Sequence, residues 1–376
     1  MLIKSVIENP PPGGFFYRFL IFGFYHYIYS DYTGNIMTDM FDRLLILRTP
    51  GIGPVKYNAL IQRFGSVAAA ADSLRADSAH VDSVRREMDM AAKLGVEYIS
   101  DDDARYPGAL RGIKNHAPVI SVRGNINALS KPMVSMVGTR HATAAGMNLM
   151  ADMAHAFADN GYSVVSGMAI GTDASAHRGA LRANGDSVTV AVLAGGVDYI
   201  WPLENESLYW DIVARGAIIS EMPVGFTPVA TNFIQRNRIV AGLSERLILG
   251  EADMKSGSMA TARFAIEYGR QLYAVPSHPS DARASGPNSL IQSGDAILCN
   301  GVGDFFKTDK KTDKHKKSET KNESEDSLID KLGTIPVSES VLAEIVKKSV
   351  SEIKSELVVL ELQGLVRKVD GGYVRN

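Results

Sequence analysis

The stretch SGMAIGTD at residues 166–173 decides the fold class, because it joins a short apolar run to an amphipathic one. The run before it, residues 163–165, has the length and β-branched content of a buried strand. Residues 173–184, which follow it, have apolar positions at helical spacing. A glycine-rich turn from a buried strand into a helix is typical of a parallel sheet covered by helices, so the stretch predicts an α/β fold.

The same alternation of strand and helix continues on both sides of this stretch. Strands are predicted at residues 134–137, 163–165, 188–193, 217–220, 247–250 and 272–275, and helices at 144–160, 173–184 and 259–268. Buried strands that alternate with helices indicate a doubly wound, Rossmann-like sheet. We therefore predict a Rossmann-like domain over residues 106–306.

Residues 38–105 have the pattern of a helical domain. Helices are predicted at residues 42–47, 55–64, 68–74 and 81–94. The first two flank the turn TPGIGP at residues 49–54, which is the outline of a helix-hairpin-helix or SAM-like domain. The backbone N–H groups of such a hairpin can bind a DNA phosphate, or its glycines can serve only to make a tight turn. The sequence leaves both alternatives open.

The C-terminal part changes character twice. Residues 307–327 carry mixed charges without a large apolar side chain, which predicts a solvated linker. Residues 328–376 then have the pattern of a winged helix, with helices at 328–332, 339–348 and 351–362 and a hairpin formed by 365–369 and 373–375. The third helix carries Glu352, Glu356 and Glu361 against Lys354 alone, so it is poorly suited to a DNA groove. We predict a module that contacts protein.

Composition limits the classes of function. The chain has 376 residues, a formal net charge of −2 and one cysteine, Cys299. A single cysteine excludes an internal disulfide framework and a multi-cysteine zinc site, and it fits a reducing cytoplasm. Without an overall positive charge, any contact with nucleic acid has to come from a local cluster of basic residues.

The N-terminal segment differs from the rest of the chain. Residues 15–29 read FFYRFLIFGFYHYIY, which is apolar but interrupted by Arg18 and His26. This run is shorter than the roughly 20 residues that a membrane-spanning helix needs. We interpret residues 1–37 as an unassigned extension, with Met37 as the functional start, and we expect a cytoplasmic protein without a membrane segment.

Three loops that each follow a strand and open a helix are candidate anion sites, because a helix start has unpaired N–H groups and a favourable dipole. The first loop contains Gly138, Thr139 and Arg140, the second Ser166, Gly167 and Gly171, and the third Lys255, Ser256, Gly257, Ser258 and Thr261. The third lacks the full pattern of an ATP-binding loop, and the second lacks the dinucleotide fingerprint. The first could also be an ordinary strand-to-helix turn. We predict that Asp173 caps the helix after the second loop and that His177 is packed or superficial rather than catalytic.

A fourth segment, NFIQRNRIVAGL at residues 232–243, combines basic, amide and aromatic side chains. Arg236 and Arg238 can contact phosphates, Asn237 can meet a base edge or a phosphate, and Phe233 can stack on a base. The alternative is that the same residues are a surface helix start, with solvated arginines and a buried phenylalanine. We find no pair of residues placed as nucleophile and base, and we predict no cofactor and no metal.

Taken in order, several of these segments resemble the DNA-processing protein A family (DprA, also called Smf). The resemblance rests on VGTR at 137–140, SGMAIGTDASAH at 166–177, GGVDYIWPLEN at 195–205, SEMP at 220–223, QRNRIVAGLS at 235–244, KSGSMATA at 255–262 and GPNSLIQSG at 286–294. It departs from the family at Ile234, where proline is usual, at Thr172, where isoleucine is common, and at Ser277-His278, where glycine is expected.

The resemblance implies a Rossmann core that binds single-stranded DNA, protects incoming strands during natural transformation and loads RecA onto them. It also implies a homodimer. Two alternative functions belong to other functional classes, an enzyme and a nucleotide-binding scaffold. A nucleotide phosphoribohydrolase of the lysine-decarboxylase-like group would need a glutamate in the PGGxGTxxE loop, and residues 256–264 lack it. A nucleotide-sensing scaffold would bind a small nucleotide without preferring longer strands.

Overall fold

Short runs of β-branched and small apolar residues form a nine-stranded sheet in the computed structural model, which describes residues 38–185, 188–309, 328–333 and 336–376. The strands are β1 Val96–Ser100, β2 Val119–Gly124, β3 Met133–Val137, β4 Ser163–Ser166, β5 Thr189–Val192, β6 Ala217–Ser220, β7 Arg246–Leu249, β8 Gln271–Ala274 and β9 Ile297–Leu298. Their order across the sheet is β1-β2-β6-β5-β4-β3-β7-β8-β9.

The strands β3 to β9 are parallel, whereas β1 and β2 add an antiparallel ribbon at the β6 edge. From β3 the chain winds towards β6, and from β7 it winds the other way towards β9. The prediction of a doubly wound α/β sheet is confirmed. Because β3 and β7 are neighbours, the switch of winding direction lies between them, where open α/β sheets form their ligand crevice.

Helices cover both faces of the sheet. They are α1 at 38–47, α2 Pro54–Phe64, α3 Val67–Ser73, α4 Ser78–Lys93, α5 Gly108–Arg111, α6 Ala144–Asp159, α7 Thr172–Leu181, α8 Glu206–Arg215, α9 Ala230–Gly242, α10 Gly257–Glu267, α11 Ser285–Ser293 and α12 Val302–Asp309. Successive side chains of strand β3 point to opposite faces of the sheet and join two different cores. Val137 packs with α9 and α10, while Val134 and Met136 pack with α6 and α7.

The N-terminal helices pack around Leu44, Tyr57 and Val84, and Val119 of β2 joins this core. Helices α1 and α2 enclose the turn at residues 49–53, so the helix-hairpin-helix prediction is confirmed. Arg43 of α1 forms ion pairs with Asp39, with Asp101 and with Asp102, which ties this helix to the sheet. The predicted boundary at residues 105–106 remains a prediction, although β1 lies before it and already pairs with β2.

The described residues from 328 onwards form a second compact unit. It contains a 3-10 turn at Leu328–Lys331, α13 Glu339–Val346, α14 Val350–Leu362, β10 Val366–Val369 and β11 Gly372–Arg375. Leu342, Ile353, Leu357 and Tyr373 build its core. The predicted winged helix is confirmed, but its first predicted helix is a single 3-10 turn.

Two predictions concern residues outside the described ranges. They are the N-terminal extension 1–37 and the linker from residue 310 onwards, whose predicted first residues, 307–309, are the end of α12. Among the described residues, none of the helices combines the length and the apolar character that crossing a bilayer requires.

Candidate functional site

A cleft of about 670 Å³ lies at the carboxyl edge of the sheet, where β3 and β7 end side by side. It is lined by Val137, Gly138, Thr139, Arg140, His141, Gly167, Ala169, Asp173, Trp201, Ala230, Phe233, Ile234, Arg236, Asn237, Val240, Asp253, Ser256, Gly257, Ser258 and Thr261. All three glycine-rich loops and α9 therefore meet at the switch point.

The first loop is held by a carboxylate of the protein. The backbone N–H of Thr139 donates to the Glu251 carbonyl over 2.6 Å, and the N–H of Thr143 donates to the Glu251 carboxylate over 2.7 Å. The Thr143 hydroxyl donates to the same carboxylate. Glu251 thus occupies the start of α6, and the expectation that this helix start binds an anion is wrong, because a negative group of the chain is already there.

The second loop also satisfies its own backbone. At the start of α7 the N–H of Thr172 donates to Thr139 and that of Ala174 to Ala169. The predicted cap Asp173 is not the N-cap, which is Gly171; it lies in the first turn, where its carboxylate accepts the N–H of Gly167 over 3.1 Å. Burial raises the pKa of Asp173. The second loop therefore forms the floor of the cleft, held by its own hydrogen bonds, and is not an open phosphate site.

Arg236 lies directly on this floor. Its Nη1 donates to the Gly167 carbonyl over 2.7 Å and to the Val192 carbonyl, and a Cβ on Gly167 would lie 2.6 Å from its Cζ. Burial lowers the pKa of Arg236 to about 10, so the guanidinium keeps its charge at neutral pH. Arg236 therefore both fixes the second loop and places a positive charge beneath the cleft.

The third loop leaves its backbone more open than the other two. Ser256 is the N-cap of α10, and its Oγ lies 2.7 Å from the Ser258 Oγ. Gly257 has no atom within 4 Å of the position that a Cβ would occupy. The amide of Asn237 donates to the Gly257 carbonyl over 3.3 Å, which ties α9 to this helix start. Here the predicted anion site is geometrically available.

Arg140 faces an aromatic wall. Its exposed guanidinium lies over the Trp201 ring at 5.1 Å from the centroid, and Trp201 meets Phe233 edge-on at 4.7 Å. No carboxylate of the described residues lies within ion-pair distance of Arg140. A cation and two partly exposed aromatic rings thus lie together, which suits a ligand with phosphates and bases.

The structure brings most of the predicted site residues together but not all of them. Ser166, Gly171, Arg238 and Lys255 do not line the cleft. The Ser166 hydroxyl donates to the Met136 carbonyl inside the core, and Gly171 packs against the carbonyls of the first loop. Lys255 is exposed beside the cleft, and Arg238 points to the other side of α9, where it pairs with Glu221.

Sequence reasoning assigned no role to Trp201, and the signal available was the WPLEN segment itself. His177 is a packed histidine, as expected: it is fully buried, its Nδ1 lies 2.7 Å from the Thr189 hydroxyl, and burial lowers its pKa to about 3. In the described ranges no three His, Cys, Asp or Glu side chains are close enough to share a metal ion.

Comparison with known proteins identifies the family. A family model described as DNA recombination-mediator protein A matches residues 97–309, a DprA-like N-terminal HHH domain matches residues 37–90, and a DprA winged helix domain matches residues 312–372. Protein Smf of Escherichia coli is 32% identical over 289 residues, which are 74% of this chain and 76% of that protein. Protein Smf of Synechocystis is 38% identical over 54% of this chain, but the match spans only 51% of that protein.

Two solved structures resemble the chain. DNA processing protein A from Streptococcus pneumoniae is 31% identical with a TM-score of 0.56, over 64% of this chain and 82% of its own. DNA processing protein A from Helicobacter pylori is 30% identical with a TM-score of 0.52, over 57% of this chain and 97% of its own. With one family model covering more than half of the sequence and a relative aligned over three quarters of both proteins, the chain belongs to the DNA recombination-mediator protein A (DprA/Smf) family.

Proposed function

We propose that the cleft binds single-stranded DNA. The observation that carries the proposal is the unpaired Arg140 guanidinium over Trp201, beside Phe233 and above the charged floor made by Arg236. Arginines and an open helix start attract phosphates, and ring faces accept unpaired bases whatever their identity. In duplex DNA the base faces are already stacked on each other, so Trp201 and Phe233 favour an unpaired strand.

The relative from Helicobacter pylori supports this proposal, since its structure concerns a single-stranded DNA binding mode. We further propose the role that the family implies: the protein protects incoming strands during natural transformation and loads RecA onto them, in the cytoplasm and as a homodimer. The proposal includes no catalytic step and no cofactor, because the polar groups of the cleft hold each other rather than forming a nucleophile and its base.

Fluorescence anisotropy with a labelled oligonucleotide, single-stranded or annealed to its complement, tests the proposal. Titrations are run without ATP at two salt concentrations. We expect tighter binding of the single strand, little dependence on base sequence, and an affinity that falls steeply with salt. A protein that ignores the single strand even at low salt does not have this function.

The phosphoribohydrolase and the nucleotide scaffold give different results in two matched assays. Incubation with nucleoside monophosphates would release free base in the first case, and we expect none. A scaffold would bind a mononucleotide as tightly as an oligonucleotide, whereas a strand-binding cleft gains affinity with each phosphate that it contacts.

A further inference from the structure

A second cavity, of about 600 Å³, lies on the other side of α9 from the cleft. It is lined by Leu47, Arg48, Thr49, Pro50, Gly51, Ile52, Gly53, Pro54, Val55, Lys56, Asn115, Ala117, Pro118, Val119, Glu221, Met222, Pro223, Gln235 and Arg238. We call it the hairpin cavity, because the whole turn of the helix-hairpin-helix forms one wall. Nothing in the cleft mechanism uses it.

Helix α9 separates the two cavities and contributes to both. Phe233, Arg236 and Asn237 face the cleft, whereas Gln235 and Arg238 face the hairpin cavity. Ile234 lies between these two faces of the helix, lines the cleft and is 55% exposed. Since a helix with its side chains is only about 10 Å thick, a polymer that leaves the cleft over Ile234 meets the hairpin cavity next.

The hairpin presents backbone donors that the protein does not use. The N–H of Ile52 closes the turn on the Thr49 carbonyl, but the N–H groups of Gly51 and Gly53 find no acceptor in the described part of the chain. Gly51 needs to be glycine for its φ of +78°. Gly53 does not, because its φ is −105° and no atom lies within 4 Å of a Cβ placed there. The fold leaves this part of the backbone accessible to a ligand.

The charges of the hairpin cavity also favour an anion. The Lys56 Nζ lies 3.9 Å from the position of a Cβ on Gly51, and no carboxylate of the described residues is within ion-pair distance of it. Arg238 offsets the only acidic side chain of the lining, Glu221, and its Nη1 has no hydrogen-bond partner. Arg48 is balanced by Glu87, which lies outside the lining. The ammonium of Lys56 is therefore uncompensated.

We propose that the hairpin cavity is a second phosphate site, which receives the same DNA strand after it has crossed α9 from the cleft. This inference rests on the proposed function of the cleft. It assigns to the hairpin turn the phosphate contact that the sequence left open, and it makes the bound length of strand longer than the cleft alone can hold. A short oligonucleotide fills the cleft only, whereas a long one contacts both sites.

The test compares short and long oligothymidylates by anisotropy with the full chain and two variants, Lys56→Ala and Gly53→Ala. Lys56→Ala removes the free cation, and Gly53→Ala adds a methyl group next to the unpaired N–H of Gly53, in open space that a phosphate would enter. Each is expected to weaken long-strand binding roughly three- to tenfold and to leave the short strand unchanged. The slope of log affinity against log salt on the long strand should fall by about 1 for Lys56→Ala.

The control is Gly303→Ala in the first turn of α12, an open glycine that lines neither cavity, which should change neither affinity. Unchanged long-strand affinity in both hairpin variants overturns the inference, as does an equal loss on short and long strands. A wild-type protein that fails to bind the short strand contradicts the function of the cleft instead. A mononucleotide that competes as well as a long strand identifies a free nucleotide as the ligand and also overturns the inference.

Discussion

Arg140 combines exposure with the absence of any ionic partner in the described ranges, so its removal should affect a ligand and not the fold. We predict that Arg140→Ala weakens single-strand binding about tenfold, or ~1.4 kcal/mol, and lowers the salt slope by about 1. The free energy of unfolding should change by less than about 0.5 kcal/mol. Anisotropy and urea denaturation measure the two quantities.

A matched control for this variant exists in the chain. Arg63 is also exposed and lies over an aromatic ring, that of Phe64 at 5.3 Å, but it lines neither cavity. Arg63→Ala removes the same charge and the same kind of ring contact, and it should leave affinity unchanged. Equal losses in the two variants would mean that overall charge, and not the cleft, governs binding.

Arg238 behaves differently, although the sequence grouped it with Arg236. It pairs with Glu221, and burial raises the pKa of that carboxyl. Arg238→Ala leaves a buried carboxylate without its partner, so we predict a loss of ~3 kcal/mol in the free energy of unfolding at neutral pH.

The pH dependence of the stability of Arg238→Ala tests whether the unpaired Glu221 carboxylate causes the loss. A carboxyl whose pKa is raised in the folded state destabilises the protein above its unfolded pKa, and the penalty is relieved as the pH falls. The stability lost in Arg238→Ala should therefore shrink between about pH 7 and pH 5, and adding Glu221→Gln should recover part of it at neutral pH. A loss that stays constant over this range would point to packing instead.

Arg236 and Arg238 show how far the sequence could predict the roles of single residues. Helix α9 was not among the predicted helices, and on a helix a separation of two residues turns the side chains by about 200°, so only one of the pair can face a given cleft. Which one faces it depends on Gly167 and Val192, which are distant in the sequence. Trp201 lies in an irregular segment between β5 and α8, where no periodicity reports on its direction.

At the scale of the loops, two glycines that both line the cleft should respond oppositely to the same change. In Gly167→Ala the new methyl would overlap the Arg236 guanidinium, which would have to leave its carbonyl partners. We predict a loss of ~2 kcal/mol in the free energy of unfolding, together with weaker DNA binding. Gly257→Ala adds its methyl in open space at the start of α10 and should keep or slightly raise stability.

Urea denaturation of the two variants measures this contrast directly. Both substitutions reduce the conformational freedom of the unfolded chain equally, so any difference between them comes from the folded state. If Gly167→Ala is as stable as Gly257→Ala, the guanidinium does not need the space above Gly167, and our account of the floor of the cleft is wrong.

The segment between α5 and β2 carries a pH-sensitive ion pair. The Nε2 of His116 lies 2.8 Å from the Asp101 carboxylate, and this hydrogen bond raises the pKa of His116. A histidine whose folded pKa is raised stabilises the protein below its unfolded pKa, and that contribution is lost as the pH rises through the folded value. We predict that the wild type loses more stability than His116→Gln between about pH 6 and pH 8. Thermal unfolding at both pH values measures this difference, and parallel curves would contradict it.

The elements themselves were largely predictable, because their signals are local. Helix α6 begins at Ala144, as predicted, after a threonine that caps it, and β6 has the predicted bounds. Strands β1, β2 and β9 were not predicted, and β9 consists of only two exposed residues, which carry no pattern. The first predicted anion site was wrong for a physical reason: a helix start is free only if nothing else in the fold reaches it, and Glu251, which follows β7, accepts a hydrogen bond there.

For the whole molecule, the order of the strands could not be read from the sequence. It depends on pairings such as Ser135 with Leu247, which join residues that are far apart along the chain. This order is what creates the switch point between β3 and β7 and gathers the loops there. It also places α9 between the cleft and the hairpin cavity, so that two DNA-binding motifs recognised separately become neighbours.

The winged helix, in contrast, should not add to DNA affinity. Helix α14 carries Glu352, Glu356 and Glu361 with one lysine, and Val358 and Leu362 on it are exposed, so it lacks the positive charge that a DNA groove attracts. The unit has its own core, and the chain can be ended after residue 309 without cutting an element of the sheet.

We predict that this truncated chain binds single-stranded and duplex DNA with unchanged affinity and an unchanged salt slope. What it should lose is contact with a partner protein, because apolar side chains left in water on a helix surface are typical of protein interfaces. Anisotropy on both DNA forms is the measurement. If the truncated chain has a lower salt slope on duplex DNA alone, the winged helix binds a DNA groove despite its glutamates. The positive charge would then have to come from the β10–β11 hairpin, where Arg367 and Lys368 are exposed.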